Sequence, residues 1–162
     1  MVFSSLDQKQ RLPSTPPPSA ASRTMRSNRS RDTKPELAVR RALFARGKRY
    51  RVGMRLTLPQ RAVRPDIVFT RQRLAIFIDG CFWHGCPEHG RMPKDPTGYW
   101  HSKIDRNRNR DMLTDAALQQ SGWRVARVWE HTPANEAVDL IVAILDSDPV
   151  KVRSASATSG TD

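Results

Sequence analysis

The sequence predicts an α/β fold in which helices cover both faces of a mixed central sheet. Three observations support this: helical and strand-like patterns alternate, no internal repeat is present, and the elements follow the order α-β-β-β-α-β-α. A chain of 162 residues can bury one core. We expect the folded domain at residues 25–148, between a disordered Ser- and Pro-rich extension at 1–24 and a disordered polar tail at 149–162.

The first half of this domain predicts one helix and three strands. A capping box, Thr-Lys-Pro-Glu, opens a helix over residues 33–46. A short strand is expected at 50–53. Two further β-rich runs, 65–70 and 74–79, are joined by three polar residues, which is typical of a hairpin.

The second half predicts a long helix, a strand and a last helix. Residues 99–120 are helical in composition, and Gly122 follows them as a stop. Residues 123–129 alternate large and basic side chains, as a strand does. After Thr132-Pro133, four apolar residues repeat at helical spacing. They are Val138, Ile141, Val142 and Leu145.

The charge of the chain favours a polyanionic partner. Lys and Arg number 28 against 16 Asp and Glu, which gives a formal net charge of +12. Nucleic acid is the first candidate and an acidic membrane surface the second. No apolar run approaches the roughly 20 residues of a membrane helix, and the Ser- and Pro-rich start does not resemble a secretory signal. We therefore expect a cytoplasmic protein that acts at the nucleoid.

One eleven-residue segment, 79–89, contains both cysteines and two of the four histidines. Thiolates and imidazoles at short spacing are the ligands that zinc prefers. Cys81 and Cys86 are the predicted thiolate ligands of a structural Zn²⁺, His89 is the third and His131 the distant fourth. His84 stays an alternative to His89, and two buried thiols without metal are the simpler interpretation.

Three acids form a candidate catalytic group. Asp66 enters one predicted strand after a proline, Asp79 ends the next, and Glu36 lies at the edge of the apolar face of the first helix. Hydrolysis of a phosphodiester calls for carboxylates that hold a divalent cation such as Mg²⁺. Glu36 and Asp79 also have structural explanations, since Glu36 belongs to the capping box and Asp79 precedes a glycine turn. For Asp66, a Pro-Asp pair is common and is weak evidence by itself.

Basic side chains indicate where DNA would lie. Lys103, Arg106 and Arg110 share one face of the long helix and could follow phosphates. Arg26 and Arg29 precede the first helix and could form a basic arm that reaches into a groove. A solvated charged face is the alternative interpretation of the helical group.

Taken together, several segments resemble the very-short-patch repair endonucleases, which are DNA mismatch nucleases. The resemblance extends over about residues 26–145 and depends most on the Gly-Cys-Phe-Trp-His block. The segments are Arg64-Pro-Asp66, Phe77-Ile-Asp-Gly-Cys-Phe-Trp-His84, Tyr99-Trp100, Lys103-Ile104, Arg110-Asp111 and Gly122-Trp-Arg-Val with Val128-Trp-Glu130. The resemblance implies a restriction-endonuclease-like fold and nicking 5′ to the T of T:G mismatches, which arise when 5-methylcytosine deaminates.

The resemblance also assigns roles in the active site. It implies that Asp66 binds the metal, Glu36 is the helical acid and His84 is the base. The best-known members have Thr-His where this chain has Ile78-Asp79. The threonine ligates through its carbonyl, so Ile78 can take its place, whereas Asp79 replaces a histidine and either interrupts a proton relay or adds a carboxylate to the metal site.

In the resembled family, aromatic side chains act as wedges beside the mismatch. Phe82, Trp83 and Trp100 match these positions. Unstacking a base step costs a few kcal/mol and costs least at a mispair, so wedges favour mismatched DNA. Ordinary packing over the zinc loop is the alternative for the tryptophans. Trp123 and Trp129, on the predicted strand, are expected in the core.

The expected partner is double-stranded DNA with a T:G mismatch, bound by a monomer, and mismatch-repair proteins are further candidates. Three other functions stay open. The chain could be a nuclease of other specificity on the same fold, a zinc-stabilised DNA-binding domain without catalysis, or an RNA-binding protein. Acids beside phosphate-facing basic segments disfavour the two binding-only functions, because carboxylates near phosphate need a cation between them.

Overall fold

The computed structural model describes residues 31–90 and 98–147. The helices are α1 (Lys34–Ala45), α2 (Tyr99–Gln120) and α3 (Ala134–Asp146). The strands are β1 (Arg51–Val52), β2 (Leu56–Thr57), β3 (Ala62–Val63), β4 (Ile67–Phe69), β5 (Leu74–Asp79) and β6 (Arg124–Trp129). The predicted extension at 1–24 and tail at 149–162 lie outside the described residues.

The main sheet has four strands in the order β1-β4-β5-β6. β4 and β5 form the predicted antiparallel hairpin, with Ile67 opposite Ile76. β6 pairs with β5 in parallel, so Ile76 lies beside Ala126 and Asp79 beside Trp129. A sheet with both kinds of pairing confirms the mixed α/β class, and the parallel pair brings the ends of β5 and β6 to the same edge.

Helices cover the sheet on two faces. On one face α1 and α3 pack against β4, β5 and β6 in a cluster that includes Leu43, Ile76 and Ile141, each fully buried. On the other face Leu118 of α2 packs against Val68. Because β5 is buried on both sides, its Leu-Ala-Ile-Phe-Ile sequence is almost continuously apolar.

A second, two-stranded sheet of β2 and β3 was not predicted from the sequence. Each strand has two residues, too few for a period of two to be recognised. Leu56 and Val63 from this hairpin join the cluster around Leu118. The hairpin therefore lies beside α2, where its far end forms a wall of the cleft described below.

Local signals fixed the ends of the elements. Thr33 is the N-cap of α1, and its side chain accepts a hydrogen bond from the Glu36 N–H, as the capping box predicts. Asp66 precedes β4, and its N–H donates to the Ile76 carbonyl at 3.0 Å, so the acid sits at the predicted strand entrance. Within residues 31–90 and 98–147, no helix is long and apolar enough to cross a membrane.

Candidate active site and metal centre

An open cleft of about 580 Å³ lies between the start of α1, the ends of β4 and β5, the β2–β3 hairpin and the middle of α2. Both acidic and basic side chains line it. The ionisable lining residues are Glu36, Asp66, Asp79 and Asp111, with His84 and with Arg61, Arg64, Arg110 and Arg127. All four residues predicted to be catalytic, Asp66, His84, Glu36 and Asp79, therefore reach one cavity.

Asp66 is fixed by the backbone of the neighbouring strand. The Ile78 N–H donates to its Oδ2 at 2.7 Å. Burial raises the pKa of Asp66 to about 6, against the lowering effect of the Ile78 N–H, and the nearby charge of Glu36 raises it further. A carboxylate that resists ionisation beside other acids is a position where a cation would relieve both desolvation and repulsion.

Glu36 is almost fully buried, with 4% of its surface exposed. Its Oε1 accepts from the Thr33 hydroxyl at 3.1 Å, and its Oε2 accepts from the Asp32 N–H and from Arg40, both at 2.9 Å. The capping interpretation is therefore correct, and it fixes the orientation of the carboxylate at the cleft. Structural and catalytic uses of Glu36 are compatible in this geometry.

His84 and Asp111 form a close pair across the cleft. Nδ1 of His84 lies 2.5 Å from an Asp111 oxygen and 3.8 Å from an Asp79 oxygen. Donation from Nδ1–H to Asp111 fixes the ring and leaves Nε2 as the nitrogen that can exchange a proton. Asn107 and Arg108 of α2 donate to the carbonyls of Trp83 and His84, at 2.8 and 3.2 Å, and so hold this loop against the helix.

Arg127 connects three acids. It donates to both oxygens of Asp79, at 2.8 and 2.9 Å, and forms a bidentate pair with Asp115. An oxygen of Asp111 lies 3.6 Å away. Burial opposes the charge of Arg127, but the hydrogen bonds with Asp115 and the charge of Asp79 outweigh it and raise the pKa of Arg127.

A divalent cation fits the donor set of the cleft. Hard cations bind carboxylate and carbonyl oxygens, and Asp66 supplies a carboxylate beside the backbone of Ile78. Burial is the main cause of the raised pKa of Asp66, and a bound cation would offset that loss of solvation. Asp79 is different, because both of its oxygens already accept hydrogen bonds from Arg127.

A thiolate–imidazole cluster lies beside the cleft. One ligand atom from each of four residues falls within 4.8 Å of the others, and the residues are Cys81, Cys86, His89 and His131. Nδ1 of His131 lies 3.0 Å from the Cys81 sulfur and 3.7 Å from the Cys86 sulfur. These are the four residues named from the sequence, with His89 rather than His84, and two thiolates and two imidazoles are a donor set that suits Zn²⁺.

Carboxylates surround this cluster. Glu130 accepts from the Cys81 N–H at 2.6 Å, and Glu88 lies 3.6 Å from Nε2 of His131, on the ring edge away from the thiols. A carboxylate at the outer nitrogen of a ligating histidine fixes the ring and strengthens it as a donor. Burial and the neighbouring Cys86 raise the pKa of Cys81 to about 11 in the metal-free protein. A bound cation would reverse that effect.

The predicted wedge residues form an aromatic cluster. Phe82 lies 5.2 Å from both Trp83 and Trp100, measured between ring centroids, and the rings meet edge to face. Only 3% of Trp100 is exposed, while Phe82 and Trp83 are half-buried. In the DNA-free protein Trp100 therefore supports the other two rings, and the packing interpretation describes it.

The basic residues of α2 differ in exposure. Arg106 and Arg110 are exposed and Lys103 is half-buried. Arg110 also lines the cleft. Arg26 and Arg29, the predicted basic arm, lie outside the described residues. Trp123 and Trp129, expected in the core, are half-buried; Trp123 packs against the α2 cluster and Trp129 stacks on His131.

Three residues of the cleft network were given no role from the sequence: Asp111, Asp115 and Arg127. A signal existed for Asp115 and Asp111, which lie four residues apart and so on one face of α2. Arg127 belongs to a strand in which large and basic side chains alternate. That alternation shows only that Arg127 lies on the opposite face of the strand from the residues before and after it. Their meeting depends on how α2 lies on the sheet, which sequence spacing does not give.

A cleft that gathers acids and a histidine among basic side chains, with a thiolate–imidazole cluster beside it, is the arrangement of a hydrolase that acts on a polyanion. Comparison with known proteins identifies the family. Residues 16–88 match the family described as DNA mismatch endonuclease Vsr.

Proteins with similar sequences match this chain over about two thirds to three quarters of its length. The type II nicking enzyme V.NaeI of Lentzea aerocolonigenes is 50% identical over 125 residues, which are 76% of this chain and 75% of that protein. V.XorIIP, a type II nicking enzyme of Xanthomonas oryzae pv. oryzae, is 48% identical over 108 residues, 65% of this chain and 76% of that protein. The DNA mismatch endonuclease Vsr of Escherichia coli is 38% identical over 113 residues, 67% of this chain and 68% of that protein.

The chain belongs to the Vsr family of DNA mismatch endonucleases. The resemblance stated from the sequence is thereby confirmed, and with it the enzyme class, a DNA endonuclease.

Proposed function

We propose that this chain nicks double-stranded DNA 5′ to the T of a T:G mismatch, with Mg²⁺ in the cleft. The observation that carries the proposal is the position of Asp66, an acid with a raised pKa in a cleft that also contains Glu36 and the His84–Asp111 pair. The relative from Escherichia coli is named a DNA mismatch endonuclease, which supports the mismatch as substrate. Such an enzyme would work on chromosomal DNA in the cytoplasm.

The side chains divide the chemistry among them. Asp66 and the carbonyl of Ile78 would hold Mg²⁺, which when bound neutralises charge on the scissile phosphate and makes water a better nucleophile. Glu36, fixed by Thr33 and Arg40, orders the attacking water. His84, oriented by Asp111, takes or gives a proton through Nε2 at the scissile phosphate. The sequence left two roles open for Asp79, metal ligand or participant in proton transfer.

Recognition of the mismatch would use the aromatic cluster and the basic surface. Phe82 and Trp83 are half-buried in the loop between Cys81 and Cys86. The buried Trp100 packs against both rings. Insertion of these rings beside a mispair costs less than beside a matched pair. Lys103, Arg106 and Arg110 would contact phosphates along α2, with Arg26 and Arg29 as an arm.

We also propose that the cluster of Cys81, Cys86, His89 and His131 binds a structural Zn²⁺. Four protein ligands leave no open position, which distinguishes a structural from a catalytic zinc. The cluster joins the loop after β5 to the end of β6, so the ion would fix the loop that carries Phe82, Trp83 and His84. We take the mixed sheet to be the restriction-endonuclease core.

A second candidate is supported by the names of the relatives. Five of them are called type II nicking enzymes, which suggests nicking within a fixed sequence as an alternative to mismatch nicking. The same cleft would serve that reaction, so the two differ in substrate and not in chemistry. A binding domain without catalysis is disfavoured, because the family is one of endonucleases.

The test compares duplexes that differ at one base pair. Wild-type protein and Asp66→Ala are incubated with Mg²⁺ and duplexes containing T:G, T:A or C:G, in several flanking sequences. Nicking of T:G alone by the wild type, and of nothing by the variant, supports the mismatch endonuclease. Equal nicking of T:A or C:G within one flanking sequence would favour the sequence-specific enzyme, and binding without nicking, with Mn²⁺ also tried, would contradict both.

A further inference from the structure

Arg127 is held in the cleft by contacts on several sides. It projects from β6 on the face covered by α2 and retains 22% side-chain exposure. Its Nε and one terminal nitrogen form a fork with Asp115, at 2.9 and 3.0 Å, and the other terminal nitrogen donates to both Asp79 oxygens. The guanidinium carbon lies 4.6 Å from the centroid of the Phe77 ring. With both edges and one face occupied, the group has one available orientation.

This orientation determines what Asp79 can do. Asp79 is buried, and its two oxygens share a single cationic partner at 2.8 and 2.9 Å. To bind a second cation, it would have to weaken those charge-assisted hydrogen bonds, and Asp115 holds Arg127 from the far side. Asp66 accepts a hydrogen bond from the Ile78 N–H, and the nearby Arg40, whose charge lowers the pKa of Asp66, donates its hydrogen bonds to Asp32 and Glu36 instead.

Arg127 also approaches the carboxylate that orients His84. Asp111 lies 3.6 Å from Arg127 and 2.5 Å from the His84 ring, whereas Asp79 lies 3.8 Å from the same ring nitrogen. Two carboxylates therefore face one imidazole, and Arg127 binds the more distant of them tightly. Without the guanidinium, Asp79 and Asp111 would repel each other and compete for the histidine.

We propose that Arg127 is a positioning residue of the cleft: it withdraws Asp79 from the divalent cation and leaves Asp111 as the partner of His84. The proposal rests on the proposed function and goes beyond it, because it states which acids of this chain coordinate the metal. Asp66 is a ligand of the divalent cation, and Asp79 is not. Asp79 is held as a hydrogen-bonded partner of Arg127, which Asp115 also binds, and the three side chains together shape the cleft.

The experiment compares six proteins: wild type, Arg127→Met, Asp79→Asn, the double variant of these two, Asp66→Asn and Arg124→Met. Arg124 is the matched control, since it is a half-buried arginine of the same strand that donates to the Ile144 carbonyl of α3, away from the cleft. Melting curves select a temperature at which all six are folded. Two readouts follow: Mn²⁺ affinity without DNA, from the electron paramagnetic resonance signal of free Mn²⁺, and the single-turnover rate of nicking a T:G duplex.

We expect Asp79→Asn to bind Mn²⁺ within about twofold of the wild type, as for a change that does not touch the bound ion. Asp66→Asn, measured alongside, should lose this binding. Arg127→Met should nick roughly 10- to 100-fold more slowly than Arg124→Met, the usual loss when a residue that orients a metal site is removed. The double variant should recover a measurable part of the rate, because it no longer carries the unpaired Asp79 carboxylate.

Two results would overturn the proposal. One is that Asp79→Asn weakens Mn²⁺ binding as much as Asp66→Asn does, which makes Asp79 a metal ligand. The other is that Arg127→Met nicks as fast as Arg124→Met. If Arg127→Met does not fold, the Mn²⁺ comparison on Asp79→Asn decides alone. A wild type that binds Mn²⁺ but never nicks T:G duplexes would refute the proposed function and leave the Mn²⁺ test of Asp79 in force.

Discussion

Replacing Asp66 by asparagine should stabilise the metal-free protein at neutral pH while it ends nicking. In the folded protein burial raises the pKa of Asp66 from its ordinary value of 3.8 to about 6. Each pKa unit corresponds to about 1.4 kcal/mol, so an ionised Asp66 costs the fold at most about 3 kcal/mol above pH 6. Since Asp66 is half-buried, screening by water reduces this to roughly 1–2 kcal/mol.

The sign follows from where the proton is held. Between pH 4 and 6 the folded protein keeps the Asp66 proton and the unfolded chain has lost it, so the stability of the wild type falls as the pH rises through this range. Asparagine carries no charge, and its side-chain oxygen can still accept a hydrogen bond from the Ile78 N–H. The variant should therefore melt about 3–8 °C higher at pH 7.5, and the difference should vanish near pH 4.

The assay is thermal unfolding followed by circular dichroism, in buffer free of Mg²⁺, with Asp105→Asn as the control for loss of an exposed acid. Addition of Mg²⁺ should then raise the melting temperature of the wild type and not that of Asp66→Asn, because only a ligand that binds the folded state stabilises it. A variant less stable than the wild type at pH 7.5, or a difference that persists at pH 4, would refute the reasoning.

Three further predictions concern the zinc cluster and the aromatic cluster. Purified protein should contain about one zinc per chain by mass spectrometry, and Cys86→Ser should lose the zinc and unfold at lower temperature; equal zinc in the variant would exclude Cys86 as a ligand. Trp100→Ala should lower the free energy of unfolding in urea by about 3–5 kcal/mol, because the indole is buried against Phe82 and Trp83; a loss below about 1 kcal/mol would contradict that packing. Asn107→Ala should reduce the preference for binding T:G over T:A duplexes, because the Asn107 amide donates a hydrogen bond to the Trp83 carbonyl. An unchanged preference would show that this hydrogen bond to the loop that carries Trp83 is not needed for mismatch recognition.

The elements that the sequence predicted well are those with strong local signals. α2 runs over Tyr99–Gln120, as its composition indicated, and α3 buries three of the four residues that repeat at helical spacing. The β4–β5 hairpin follows from two apolar runs with three polar residues between them. The β2–β3 hairpin escaped prediction because its strands are too short to show a period.

In the candidate site, too, the residues with local sequence signals were predictable and the long-range contacts were not. The residues of the thiolate–imidazole cluster were predictable because three of them lie within nine positions, and the parallel β5–β6 register brings His131 to the loop that follows Asp79. The contacts of Arg127 were not predictable, since they join a strand and a helix twelve residues away in sequence and a second strand 48 residues away. Such contacts depend on how α2 packs on the sheet. That packing is determined by many side chains at once and cannot be obtained from sequence spacing.

The position of the cut is the decisive observation for the proposed mismatch endonuclease. A T:G duplex labelled differently on each strand is incubated with Mg²⁺ and excess enzyme, and both strands are resolved at single-nucleotide length, for the wild type and for Asp66→Asn. We expect one break in the T strand, immediately 5′ to the mispaired T, with the wild type. With Asp66→Asn both strands should stay intact although the variant binds the duplex as tightly. Cleavage of the G strand, or the same cut by Asp66→Asn, would contradict the proposed function.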